Sequence, residues 1–84
     1  MIHQPEIWEI IKRELPRGQW VTLQNIYKII EQNWKLDKED YEPQSPISKL
    51  PKWKRNVRNV LQYRKRTQEI IWGDNAKYKL GNLK

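Results

Sequence analysis

The sequence predicts an α+β domain of three helices with a small antiparallel sheet, in the order helix, short strand, helix, helix, hairpin. Three observations lead there. Apolar residues recur at three-to-four spacing in three separate stretches. Prolines and glycines punctuate the chain between those stretches. Two short runs, EIIW and AKYKL, flank a Gly-Asp-Asn turn near the C-terminus and read as paired strands.

The first helix is predicted over residues 5–15. Pro5 suits its first turn, Glu6 its positive end, and Lys12 and Arg13 its negative end. Ile7, Ile10, Ile11 and Leu15, with Trp8 alongside, make one apolar stripe. Pro16 stops the helix and Gly18 completes the turn. Gln19 to Thr22 reads as a short extended segment, after which Thr22 can cap a second helix from Leu23 to about Trp34. Leu23, Ile26, Tyr27, Ile30 and Trp34 share one side of it.

Residues 35–50 are irregular, because Pro43 and Pro46 forbid a long helix, although Asp37 can cap one short turn through Asp40 and Tyr41. Pro51 opens the third helix, which runs to about Arg66 or Thr67. In the hairpin, alternation puts Ile70 and Trp72 on one face of the first strand. Tyr78 and Leu80 share a face of the second, leaving Lys77 and Lys79 on the other. If the segment at Trp20 pairs beside the hairpin, this is the element order of a winged helix-turn-helix, with an unusually long connection inside the helix pair.

Size and composition fit one domain over residues 1–84, with residues 1–3 and 81–84 expected to fray. Five Trp and four Tyr offset a modest apolar fraction of 37%. Trp8, Trp34, Trp53 and Trp72 fall on predicted core faces; the pattern does not fix the side of Trp20. There is no Cys, no apolar run of membrane length and no signal-peptide pattern, so the expected setting is cytoplasmic and nucleoid-associated.

Charge is segregated. Residues 1–42 carry six basic and eight acidic side chains, a net of −2, whereas residues 43–84 carry eleven and two, a net of +9. From Pro43 to Gln68 there are eight cations (Lys49, Lys52, Lys54, Arg55, Arg58, Arg64, Lys65 and Arg66) and no carboxylate. Such asymmetry points to a polyanionic partner.

Winding the third helix at about 100° per residue separates two faces. Trp53, Val57, Val60 and Leu61 form the apolar arc. Lys52, Arg55, Asn59, Gln62 and Arg66 lie opposite, flanked by Lys54, Arg58 and Lys65. A merely solvated face normally mixes signs to gain i,i+4 pairing, and this one does not. Lys and Arg neutralise phosphates; Arg can also pair with guanine, and Asn or Gln with adenine. Lys52, Arg55, Asn59 and Gln62 are therefore candidate base readers, and Lys65 and Arg66 candidate phosphate contacts. Lys49, Asn75 and Lys77 extend the expected DNA-binding set. Arg64 falls inside the apolar arc, where its stem can lie along the core edge. Asn56 is expected to satisfy a buried backbone group.

These stretches bear a resemblance. VTLQNIYKII, the PKWKRNVRNVLQYRKR helix and the IIW…AKYKL hairpin together resemble winged-helix domains attached to restriction endonucleases. The N-terminal domain of Mrr-type restriction proteins is similar, with an acidic linker like Lys35–Glu42 before a W-x-x-x-V-x-x-x-L helix. So is the winged helix that follows the catalytic domain in some methyl-directed nucleases. The resemblance implies DNA contact, sometimes with modified bases, through Lys52 to Arg66. One departure is Thr67-Gln68, where such domains place Gly between helix and wing.

No catalytic motif is present, and no metal or cofactor is expected: the one histidine is His3, and Asp37, Glu39, Asp40 and Glu42 do not have calcium-loop spacing. Those acids are expected to solvate a loop or repel DNA from the wrong face. The sequence thus predicts a non-enzymatic, double-stranded DNA-binding protein, a small regulator or the targeting module of a restriction or mobile-element system. Its partner could be a nuclease domain or a second copy, toward which an outward Ile71 points. The competing reading is an adaptor that docks an acidic protein on the same basic face.

Overall fold

In a computed structural model describing residues 1–81, seven elements follow one another: α1 (Gln4–Glu14), β1 (Val21–Thr22), α2 (Leu23–Asn33), α3 (Lys38–Tyr41), α4 (Lys52–Arg66), β2 (Ile70–Trp72) and β3 (Lys77–Leu80). The protein is a small α+β domain with four helices and a three-stranded antiparallel sheet among the described residues. The helix beyond the three expected is α3, the short turn capped by Asp37, whose side chain accepts from the Asp40 amide at 2.9 Å.

The sheet order is β1-β3-β2, with Val21 opposite Tyr78, Ile70 opposite Leu80 and Trp72 opposite Tyr78. Period-two alternation turns Val21, Ile70, Tyr78 and Leu80 inward, and all four are buried. Thr22 caps α2 as expected, accepting from the Asn25 amide at 3.2 Å. The first amide of α2 has no partner within its own helix; Leu23 N–H instead donates to the Ala76 carbonyl at 3.0 Å, tying α2 to the hairpin turn. Gly18 holds φ +71° between α1 and β1, a conformation that an L side chain would strain.

Ile7, Ile10 and Ile11 of α1, Ile26 and Ile30 of α2, and Trp53, Val57, Val60 and Leu61 of α4 meet in one core with the inward strand residues. Trp8 and Trp53 are buried as the periodicity predicts. Trp34 and Trp72 are not: they remain 36% and 40% exposed. Trp34 already lies beyond α2, in extended backbone at φ −146°, so helical phase no longer aims it inward. Trp72 leans against α4, its indole N–H donating to the Leu61 carbonyl at 3.1 Å, with its ring edge-on to Tyr78.

Two further expectations are corrected. Residues 1–3 do not fray, because Ile2 is fully buried and its amide donates to Asp40 Oδ1 at 2.9 Å. Asp40, read in sequence as part of a solvated acidic cluster, is itself fully buried; its Oδ2 accepts from the Asp37 amide at 2.9 Å. Asn56 closes the group by donating to the Ile2 carbonyl at 3.3 Å, the role expected of it. Asn82 to Lys84, the outer part of the C-terminal end expected to fray, lie outside the described residues. The long connection is also closed, by a Pro43–Pro51 bridge and by the Gln44 amide donating to the Leu50 carbonyl at 3.0 Å.

At the C-terminus of α4, Thr67-Gln68 form the turn in which Gly was the expected residue. Gln68 N–H donates to the Lys65 carbonyl at 3.1 Å and Glu69 N–H to the Arg64 carbonyl at 3.0 Å, with Gln68 at φ +63°. This is a Schellman motif in which Gln occupies the left-handed position usually given to Gly.

Two stability changes are expected. Asp40→Ala strands the Ile2 and Asp37 amides and should cost about 1–3 kcal/mol, read as a lower denaturant midpoint. Gln68→Gly relieves the left-handed strain and, after the greater chain entropy of Gly is set against it, should stabilise by about 0.5–1 kcal/mol, read as a rise of a few degrees in Tm.

Candidate nucleic-acid interface

The candidate face begins with the winding of α4. Because Trp53, Val57, Val60 and Leu61 are held in the core, the opposite side of the helix must face outward. Arg55, Gln62 and Arg66 are exposed there, and Asn59 is half-buried between them. Positions 55, 59, 62 and 66 form a continuous stripe at three-to-four spacing. None of them is sequestered beneath a neighbouring element.

The flanking cations are less free than the sequence implies. Lys52 Nζ lies 3.8 Å from Glu42 Oε1, so one candidate base reader has a carboxylate beside it. Lys54 Nζ sits 4.9 Å from the Tyr27 ring centroid and 5.6 Å from that of Trp53. Lys65 Nζ sits 4.6 Å from the Trp72 centroid. Arg58 is exposed and close enough to α2 that its charge opposes the upward push of burial on the Tyr27 phenol. Lys54, Arg58 and Lys65 thus line the side of α4 that faces α2 and the hairpin.

Arg64 is bound more tightly than a snorkelling side chain would be. Its Nη1 lies 2.8 Å from Glu69 Oε1, and its guanidinium carbon lies 4.7 Å from the Trp8 centroid. The absence of carboxylates from the 43–68 stretch therefore did not leave all eight cations unpaired. Glu42 and Glu69, just outside either end, each meet one of them.

Of the remaining predicted residues, Lys49 is exposed on the loop before α4, and Asn75 and Lys77 are exposed at the end of the hairpin. Lys79 is half-buried, with Nζ 4.7 Å from the Trp20 centroid. Sequence reasoning did not anticipate the aromatic seats beneath Lys54, Lys65 and Lys79. Apart from Trp53, which adjoins Lys54 on α4, the rings lie outside the element that carries each lysine, so helical or strand spacing carries no trace of them. Among the described residues, no three His, Asp or Glu side chains converge as a metal site, and no helix is long and apolar enough to cross a membrane.

The Glu69 carboxyl is held below the usual carboxylate range, first by the Thr67 hydroxyl at 2.6 Å and then by Arg64. A depressed carboxyl pKa adds stability above its unfolded value, and that stability is lost as pH falls through the folded value. Glu69→Gln should therefore be less stable than wild type at neutral pH. The gap should close as pH falls through and beneath the carboxylate range, as followed by thermal melts.

In comparisons with known proteins, no family model, curated protein or solved structure matches the chain.

Proposed function

We propose that this protein binds double-stranded DNA, with α4 as a recognition helix in the major groove and the β2–β3 hairpin as a supporting wing. On this reading the fold is a winged helix in which α2 and α4 form the helix-turn-helix and α3 is carried in the connection between them. The observation that carries it is the outward stripe of Arg55, Asn59, Gln62 and Arg66, an array of cations and amides on the side of α4 opposite the core. An α-helix fits the major groove of B-form DNA, and these side chains offer the donors and acceptors that base edges match.

The electrostatics support the same reading. Lys54 and Lys65 are steadied by aromatic rings, not by carboxylates, so their charge persists toward the surface. Arg55 and Asn59, nearer the start of α4, are the proposed base readers; Lys65 and Arg66, in its last turn, are proposed to meet phosphates. Lys52 is the weaker candidate now that Glu42 lies beside it.

The test is binding to duplexes selected from a random library, with affinity measured across a salt series. About five to seven phosphate contacts give an expected slope of log affinity on log salt of about −4 to −6. Arg55→Ala and Asn59→Ala should relax preference at individual base pairs by about 1–3 kcal/mol, whereas Lys65→Ala and Arg66→Ala should weaken all sequences alike. A salt-independent affinity, or retention of an acidic protein with no shift of any duplex, would overturn the reading.

A further inference from the structure

The three-stranded sheet has a second face, turned away from the core. Strand alternation and the register of Thr22 with Lys77 and of Ile71 with Lys79 place Thr22, Ile71, Lys77 and Lys79 on it. Trp20, one residue before Val21, falls on the same side. Trp20 is 48% exposed and Ile71 41% exposed, so this face offers an indole and a branched aliphatic side chain to solvent.

The indole lies flat. A Cβ built on Gly73 would be 2.7 Å from Trp20 Cζ3, 3.0 Å from Cη2 and 3.1 Å from Cε3. Such close, nearly equal approach to three consecutive ring atoms places Gly73 under the face of the ring; an approach at the rim would leave the two neighbouring atoms markedly farther away. Gly73 is thus the seat on which Trp20 rests, and any side chain there would lift the ring. The Lys79 ammonium lies over the same ring, 4.7 Å from its centroid, so a base that stacks there displaces it toward the phosphate; exposed Lys77 lines the same hollow as Trp20. The open faces of the three strands carry no carboxylate; Glu69, just before β2, is already engaged by Arg64 and Thr67, and the one acid at the edge of the face, among the described residues, is Asp74 in the hairpin turn, which lines the same hollow as Trp20 and Lys77.

We infer that this open sheet face is a stacking platform for unpaired bases of single-stranded nucleic acid, with Trp20 as the base-stacking ring and Lys77 and Lys79 as the phosphate contacts. The chemistry selects that occupant. An aromatic ring with one lysine over it and another beside it matches a ligand that joins a π-face to an anion at each repeat, and a nucleotide does both. A cationic peptide or methylated ammonium would meet like charge. The platform is separate from the α4 stripe, so it stands or falls independently of duplex binding by that helix.

The experiment uses the full chain with three probes at low salt: a fluorescein-labelled twelve-nucleotide oligothymidine, a duplex selected for binding, and polyglutamate. Trp20→Ala should lose about tenfold in affinity for the oligothymidine, while Trp20→Phe keeps most of it. Gly73→Val, which displaces the ring without removing it, should lose as much as Trp20→Ala. Arg55→Ala should leave oligothymidine binding unchanged, and Trp20→Ala should leave duplex binding unchanged. Thermal melts of each variant check that the fold is retained.

Wild-type affinity of a folded Trp20→Ala for oligothymidine would overturn the platform, as would failure of the wild type to bind it. An equal Trp20→Ala loss for polyglutamate would overturn it too, showing a surface for acidic protein. Oligothymidine binding without duplex binding would sink the proposed function and spare the platform; the converse result would do the opposite.

Discussion

The edge-on packing of Trp53 against two tyrosines sets the orientation of everything that faces outward. Its ring centroid lies 5.4 Å from that of Tyr27 on α2 and 6.4 Å from that of Tyr41 on α3, at interplanar angles of 73° and 74°. Trp53 stands in the first turn of α4 and is 1% exposed, so the two contacts fix the rotation of that helix about its own axis. With the rotation fixed, Arg55, Asn59 and Gln62 have only one direction in which to point. The indole N–H has no hydrogen-bond partner among the described residues, at a cost of about 1–3 kcal/mol. Burying an aromatic surface of about 150–250 Å² outweighs it, at about 25 cal/mol per Å².

What could be read from sequence was whatever depends on near neighbours. The Trp53, Val57, Val60 and Leu61 arc, the Thr22 cap, the Asp37 turn and the inward Tyr78 and Leu80 all rest on spacings of a few residues, and each is found in place. The misreadings arise where partners are far apart along the chain. Ile2 meets Asp40 across 38 positions and Asn56 across 54, which turned an expected frayed end and an expected solvated acid into buried partners. Trp34 failed because helical phase says nothing once the backbone has left the helix, and Trp72 because, at the last position of β2, it packs against the end of α4 and keeps one side in solvent. For the candidate face, the stripe was legible and the neighbours of its flanking lysines were not.

Those neighbours decide how the positive charge behaves. A carboxylate partner cancels a cation at distance, as Glu42 does for Lys52 and Glu69 for Arg64. An aromatic partner restrains the side chain while its ring remains electrically neutral, so the field of Lys54, Lys65 and Lys79 survives. The protein thus holds several of its cations in place without spending their charge, which suits association steered by a polyanion.

The left-handed Gln68 has a consequence for how helix and hairpin travel together. Only three residues separate the end of α4 from the start of β2, and two of their amides are locked back onto the helix by hydrogen bonds. Trp72 adds a strut from the hairpin to the Leu61 carbonyl. Helix and hairpin are joined as one rigid bracket, with no hinge between them. Any molecule long enough to touch both would be gauged against a fixed span, and misfits in length or curvature could not be absorbed by swinging one arm.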